Sequence, residues 1–258
     1  MNNLQDLLLD FCPISLEEMN AVKLMNRMDT KYLTTRDALP KILSHLKEYY
    51  FVQKIEDKTV SHYQTLYYDT LNLQMYLDHH NKKLTRQKLR TRIYCNTGHT
   101  FCEIKNKTNK KRTKKKRIAI STEQIFHLFD DAHIVDFIQT YLHYDISQLS
   151  PCVQNEFDRI TLVNKEKTER VTIDTNISFT NITTQHTAQI LDLVIIELKQ
   201  SAHISSYLKK VLAELSIQPQ KISKYCLGTI LTHPGVKMNR FKKKLRYLSR
   251  IGITWEIQ

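Results

Sequence analysis

Charged and apolar residues alternate with a period of two in seven separate segments of this 258-residue chain, and that pattern restricts the fold more than any other feature. Side chains of one parity share one face of a strand. In 26–34, Arg27, Asp29 and Lys31 lie opposite Met28, Thr30 and Tyr32. In 84–95, Arg86, Lys88, Arg90 and Arg92 lie opposite Leu89 and Ile93. Glu103, Lys105 and Lys107 share a face of 100–107, Lys115 and Arg117 of 114–120, and Phe157 and Arg159 of 152–164. In 169–180, Arg170, Thr172 and Asp174 oppose Val171 and Ile173, and in 190–200 Glu197 and Lys199 continue a face begun by Leu191, Leu193 and Ile195. One such strand is an ordinary half-solvated element. Seven together predict a sheet whose apolar faces pack outward against helices while the charged faces converge on a hydrated lumen.

With 60–69 the segments make eight strands. Helical periodicity occupies 4–10, 16–25, 36–49, 122–143, 202–214 and 238–251, so the expected class is α+β: an antiparallel closed β-barrel of about eight strands with flanking helices. No repeat or Gly/Ser/Pro-rich linker interrupts the chain, which reads as one domain over 1–258. Its core is placed at 26–230, with a helical N-terminal segment at 1–25 and a basic C-terminal helix at 237–251.

The net charge of +13 is concentrated: residues 82–117 carry fifteen basic side chains against one acid, Glu103, and 237–250 add seven basic residues and no acid. Such concentration points to a polyanionic partner. The four glycines, Gly98, Gly228, Gly235 and Gly252, cannot compose a Walker A loop or a GxGxxG turn, so side chains must hold any phosphate. Five cysteines, odd in number and never spaced as CxxC, argue against a disulfide framework or thiolate zinc site and fit a reducing, cytoplasmic compartment. The acidic N-terminal flank and short apolar runs predict neither a signal peptide nor a membrane span. A linear phosphate chain matches the lumen in sign and shape. Specific nucleic-acid binding is disfavoured because the basic residues alternate along strands and no RNA-binding aromatic signature is present.

The ordered strings Arg27-Met-Asp-Thr-Lys-Tyr32, Tyr67-Tyr-Asp-Thr70, Arg86-Gln-Lys-Leu-Arg-Thr-Arg-Ile-Tyr94, Phe101-Cys-Glu-Ile-Lys105, Lys115-Lys-Arg117, Phe157-Asp-Arg159, Arg170-Val-Thr-Ile-Asp174, Ile196-Glu-Leu-Lys199 and Lys221-Ile-Ser-Lys-Tyr225 give the chain its resemblance. It resembles the VTC-type polyphosphate polymerase domain, the catalytic domain of the vacuolar transporter chaperone complex and a member of the triphosphate tunnel metalloenzymes, in its stand-alone bacterial form. The resemblance implies a tunnel that grips ATP and a growing inorganic polyphosphate chain, with Mn²⁺ or Mg²⁺ as cofactor. It implies catalytic phosphate ligands at Lys31, Arg90, Arg92, Lys105, Lys115, Arg159, Arg170 and Lys224. Substrate contacts fall to Arg27, Lys88, Lys107, Arg117, Lys199, Lys221 and Ser223, and metal ligation to Glu197 and Glu103. Lys221, Ser223 and Lys224 rest on the resemblance alone. Asp29 stands where the family usually has glutamate, and Phe157 where tyrosine is common. The SPX domain and membrane spans of the eukaryotic complex are not found in these residues.

The expected reaction is transfer of the γ-phosphoryl group of ATP to polyphosphate; the acceptor is already ionised, so no general base is required. Three other readings stay open: a tripolyphosphatase or nucleoside triphosphatase on the same fold, with Glu103 or Asp29 orienting water; a non-catalytic polyphosphate-binding module; and a nucleic-acid binder. The Lys221-x-Ser-Lys224 string favours the polymerase. In the tail, Phe241, Leu245 and Leu248 predict a helix docked on the barrel with Lys242, Lys243, Lys244 and Arg246 outward. Feeding polyphosphate, or touching an anionic membrane or membrane protein, is the alternative role of that helix.

Overall fold

The computed structural model describes residues 4–20, 27–110, 113–201 and 205–258, with backbone alone at Asn20 and Arg27. Residues 21–26 of the expected helix 16–25 and strand 26–34, Lys111 and Arg112 in the turn after Lys110, and 202–204 of the helix expected from 202 lie outside the described residues.

The described residues form twelve strands: β1 (Cys12–Ile14), β2 (Arg27–Thr35), β3 (Tyr50–Gln53), β4 (Val60–Thr70), β5 (Arg86–Tyr94), β6 (His99–Lys107), β7 (Thr113–Ile120), β8 (Leu149–Asn164), β9 (Glu169–Asn181), β10 (Thr187–Ile190), β11 (Leu193–Ser201) and β12 (Glu256–Ile257). The helices are α1 (Leu4–Leu9), α2 (Leu16–Asn20), α3 (Leu39–Leu46), α4 (Gln74–His80), α5 (Ala132–Tyr141), α6 (Tyr207–Glu214), α7 (Lys224–Thr232) and α8 (Lys242–Arg250). All eight predicted strands form, and they join in the order β7-β6-β5-β4-β8-β9-β11-β2, each ladder antiparallel. Among the described residues no ladder joins β2 to β7, so the barrel is curled rather than hydrogen-bonded all round. The curl is read from charge: Lys105 on β6 senses Glu197 on β11, five ladder steps away. In a flat sheet those strands would lie about 24 Å apart.

The outward faces are apolar and covered. Leu66, Leu89 and Ile104 pack with Ile134, Phe137 and Ile138 of α5, while Ile160, Ile173, Ile196 and Leu198 pack with α1, α3 and α6 through Leu8, Ile42, Leu43 and Leu208. Inside, one half of the barrel is also apolar. Leu33, Tyr63, Tyr67, Phe157, Phe179, Leu193 and Ile195 pack against Tyr225 and Leu227 of α7 and Tyr76 of α4. This explains the mixed face read in 190–200: its apolar half lies under α7 and its charged half, Glu197 and Lys199, faces the open part of the lumen.

Helix α7 carries no amphipathic period because Tyr225 through Thr232 are all buried, which is why sequence periodicity misses it. Gly228 lets it approach the sheet: a Cβ there would sit 2.5 Å from Phe179 Cδ1 and 2.9 Å from Val153 Cγ1. Asp69, at the end of β4, ties these layers together. It accepts from the backbone N–H groups of Met75 and Tyr76 at 2.8 and 2.9 Å and from the Tyr225 hydroxyl.

Three local expectations are corrected. The helix expected over 122–143 begins only at Ala132, because Asp131 caps it by accepting from His133 and Ile134 N–H, and two 3₁₀ turns precede it. Leu191 lies outside β11 and is exposed. On α8, Lys242, Lys243 and Arg246 face outward, but Lys244 is half-buried with its Nζ 4.6 Å from the Phe241 ring centroid.

Candidate functional site

Register sets the charged side chains in rows. Lys88, Lys105 and Lys115 are direct partners across β5, β6 and β7, and the next row is Arg90, Glu103 and Arg117. Across β8, β9, β11 and β2 run Thr161, Thr172, Glu197 and Lys31, flanked by a row of Arg170, Lys199 and Asp29. Like charges directly opposite on neighbouring strands are destabilising, at about 3 kcal/mol for a 5 Å separation and an effective dielectric of 20. Two features of the lumen offset this.

The first is three carboxylates, each shared by two cations. Glu103 accepts from Arg90 Nε at 2.8 Å and from Lys115 Nζ at 2.9 Å. Asp174 accepts from Arg159 Nε and Nη2 at 2.6 and 2.8 Å and also from Lys224. Glu197 pairs with Lys31, and with Lys199 at 3.3 Å. Burial works against ionisation of all three, yet the flanking cations hold each carboxyl below the usual carboxylate range. The second is an aromatic pair: Tyr63 stacks on Phe157 at 5.2 Å, with Arg92 and Arg159 guanidinium carbons 5.0–5.7 Å from the two ring centroids and Lys224 Nζ 3.8 Å from that of Phe157. Phe157, where the family commonly has tyrosine, therefore offers a ring face rather than a hydroxyl.

Between these clusters the charge is not balanced. Arg92 donates to Thr65 Oγ1 at 3.0 Å, and Lys88 donates to Ser223 Oγ at 2.8 Å. Among the described residues, Lys88, Arg92 and Lys105 form no ion pair. Arg90, burial and Arg92 push the Lys105 ammonium well below the ordinary lysine value; burial lowers Lys88 and Arg92. Burial also outweighs the carboxylate partners of Lys199 and Lys224, bringing them down to about 8 and about 7.

The structure thus brings together Lys31, Lys88, Arg90, Arg92, Glu103, Lys105, Lys115, Arg159, Glu197, Lys199, Ser223 and Lys224. Arg170 and Lys107 lie half-buried on the same inward parity. Lys115, Arg117 and Lys221 are exposed, Lys115 reaching Glu103 from the edge strand β7; Arg117, on the same strand, lies 4.3 Å over the Phe101 ring. Arg27 begins β2, and its side chain lies outside the described residues. Sequence reading nominated no role for Asp174, which holds Arg159 and Lys224 together, nor for Asp69. Their signal was present in the strings Arg170-Val-Thr-Ile-Asp174 and Tyr67-Tyr-Asp-Thr70.

Metal fit differs between the two nominated carboxylates. Glu103 is fully buried, one oxygen paired with Arg90 and the other with Lys115, so an ion there would have to displace one of these cations. Among the described residues no three His, Cys, Asp or Glu side chains form a metal-holding group. Glu197, half-buried between two lysines that can turn to phosphate, fits a divalent ion that arrives on a triphosphate and takes most of its oxygen ligands from it.

A curled antiparallel sheet with helices outside and convergent cations inside defines the triphosphate tunnel fold. A candidate adenylate cyclase from Bacillus halodurans superposes with a TM-score of 0.52 at 14% identity, covering 84% of this chain and 100% of its own. A candidate adenylyl cyclase from Hippeastrum, described as having a dominant triphosphatase activity, gives 0.51 at 12% identity, covering 80% and 96%. Residues 26–233 match the VTC domain, and the chain belongs to that family. No curated protein sequence matches it. No helix among the described residues is long and apolar enough to cross a membrane.

Proposed function

We propose that the protein is a polyphosphate polymerase, transferring the γ-phosphoryl group of ATP to the end of an inorganic polyphosphate chain. The observation that carries the reading is the group Lys88, Arg92 and Lys105, cations packed in the lumen without a carboxylate partner among the described residues. A bound chain of phosphates supplies the missing negative charge.

In the reaction, an oxygen of the acceptor's terminal phosphate forms a bond to the γ phosphorus. The bond from γ phosphorus to the bridging oxygen breaks, and ADP leaves with the electron pair. The transition state is loose and charge-rich, so alignment and fixed positive charge do most of the work. Arg90, Arg92, Arg159 and Arg170 offer planar forks to phosphate oxygens, and Lys31, Lys105, Lys115, Lys199 and Lys224 act as point charges. Glu197 would hold the divalent ion, Mn²⁺ or Mg²⁺ by its hard oxygen ligand, which would supply positive charge to the triphosphate when bound. Glu103 and Asp174 are each engaged by two cations, and the already ionised phosphate acceptor requires no carboxylate to activate it.

A triphosphatase is the second reading, favoured by Asp29, an exposed carboxylate whose charge reaches Lys199. Incubation of the purified protein with ATP and Mn²⁺, products being separated on a gel, distinguishes them. A ladder of long phosphate chains is the expected result; orthophosphate as the sole product overturns the polymerase in favour of the hydrolase.

A further inference from the structure

Helix α8 lies beyond the residues that match the VTC domain, yet it packs with α7, whose cap Ser223 receives Lys88 from the lumen. Phe241 stacks on Tyr76 of α4 at 6.2 Å, and the Tyr76 hydroxyl donates to the Lys237 carbonyl at 2.7 Å. Arg240 donates to the Asn81 carbonyl at 3.1 Å. These contacts hold the segment entering α8 against α4, and Leu245 and Leu248 of α8 pack beside Leu227 and Ile230 of α7, around a cleft also bordered by Ile222, Ser223, Phe241 and Lys244. The cleft's exposed lining is apolar, so Lys244 borders it through its aliphatic stem, next to Ser223, the residue that receives Lys88 from the lumen. The charges of Lys82, Lys88 and Lys221 all act on Lys244, and those of Lys88, Arg86, Lys244 and Lys107 act on His79 at the end of α4. Among the described residues, Arg86, Lys88, Lys221 and Lys244 form no ion pair, in contrast to Arg90, Arg159 and Lys31 deeper in. Burial and those cations push the His79 imidazole down to about 2, so it is neutral and adds no charge of its own.

We infer that α8 completes an outer vestibule, built from Arg86, Lys221 and Lys244, that holds the part of a linear phosphate chain extending beyond the triphosphate site of Lys88, Arg92 and Lys105. Arg86 lies six residues along β5 from Arg92, about 20 Å, a distance of several phosphate units. No ion pair has to be broken to engage these cations, whereas Lys31, Arg90 and Arg159 deeper in have carboxylate partners to give up. It rests on the polyanion reading of the lumen proposed above.

The test compares tripolyphosphate with long-chain inorganic polyphosphate, binding each to the full chain and to Lys244→Gln and Lys244→Glu across a salt series. Long-chain affinity is expected to fall about threefold to tenfold in Lys244→Gln and further in Lys244→Glu, the slope of log affinity against log salt dropping by about one. Tripolyphosphate binding stays unchanged. Equal loss for both ligands, or no loss for either, overturns the vestibule while leaving the lumen reading intact. Failure of the unsubstituted protein to bind tripolyphosphate instead overturns the lumen reading itself. Lys244→Gln keeps the aliphatic stem over Phe241, and an unchanged melting temperature confirms that its fold is intact.

Discussion

Lys88 Nζ donates to Ser223 Oγ at 2.8 Å, joining the middle of β5 to the residue that caps α7. Ser223 Oγ also accepts from the Cys226 N–H at 3.4 Å, so one hydroxyl orients a tunnel cation and satisfies a helix end. Ser223→Ala removes both contacts. Loss of the cap alone costs about 1 kcal/mol, measurable by urea unfolding, and the released Lys88 should raise the Kd for tripolyphosphate. Unchanged stability and affinity would mean the hydroxyl does neither job.

Asp174 is the shared counter-charge of Arg159 and Lys224. Asp174→Asn leaves two buried cations facing one neutral amide, and breaking a buried pair in this way costs roughly 3 kcal/mol or more. Added tripolyphosphate should restore more melting temperature to this variant than to the unsubstituted protein, because the anion replaces the lost charge. A ligand-induced shift no larger than that of the unsubstituted protein would contradict the arrangement.

Glu197→Gln frees Lys31 and Lys199 while removing the carboxylate that fits a divalent ion. Metal-dependent turnover should be abolished, and polyphosphate should bind at least as tightly as before. Activity assays and a binding titration on the same preparation separate the two effects; undiminished turnover would sink the assignment of Glu197.

The lowered lysines give opposite pH trends to the empty and the liganded protein. Lys224 and Lys199 lose protons in the folded state near pH 7 and 8, whereas unfolded lysine does so near 10.4. Between those values the unfolded chain binds more protons, so these two groups make stability rise with pH; their penalty is full below about pH 7. Anion affinity runs the other way, since it falls as the two ammonium groups deprotonate from pH 7 to 8. Melting curves from pH 6.5 to 9, with and without tripolyphosphate, should therefore converge as pH rises. A ligand-induced shift that stays constant over the range would refute this.

Gly228 admits α7 to the inner face of β8 and β9. Gly228→Ala places a methyl group against Phe179 and Val153, and overpacking of this kind costs about 1–3 kcal/mol despite the better helix propensity of alanine. Thermal or urea unfolding checks the sign: a more stable variant would show that the helix can shift freely.

The sequence by itself determined the eight long strands and the parity of Arg90, Arg92, Lys105, Arg159 and Glu197, because alternation is a local property of an extended chain and survives without knowledge of its neighbours. It also carried the family, through short strings in a fixed order. The tertiary structure decided which charges neutralise one another. Asp174 meets Lys224 only because α7, buried on every side from Tyr225 to Thr232 and so invisible to periodicity, packs inside the barrel. It likewise decided that Glu103 pairs with Arg90 and Lys115, that Arg117 on an edge strand stays exposed despite its inward parity, and that Lys244 lies half-buried over Phe241. Each of these depends on how far the sheet curls and where a helix docks, and both are set by contacts between residues far apart in the chain.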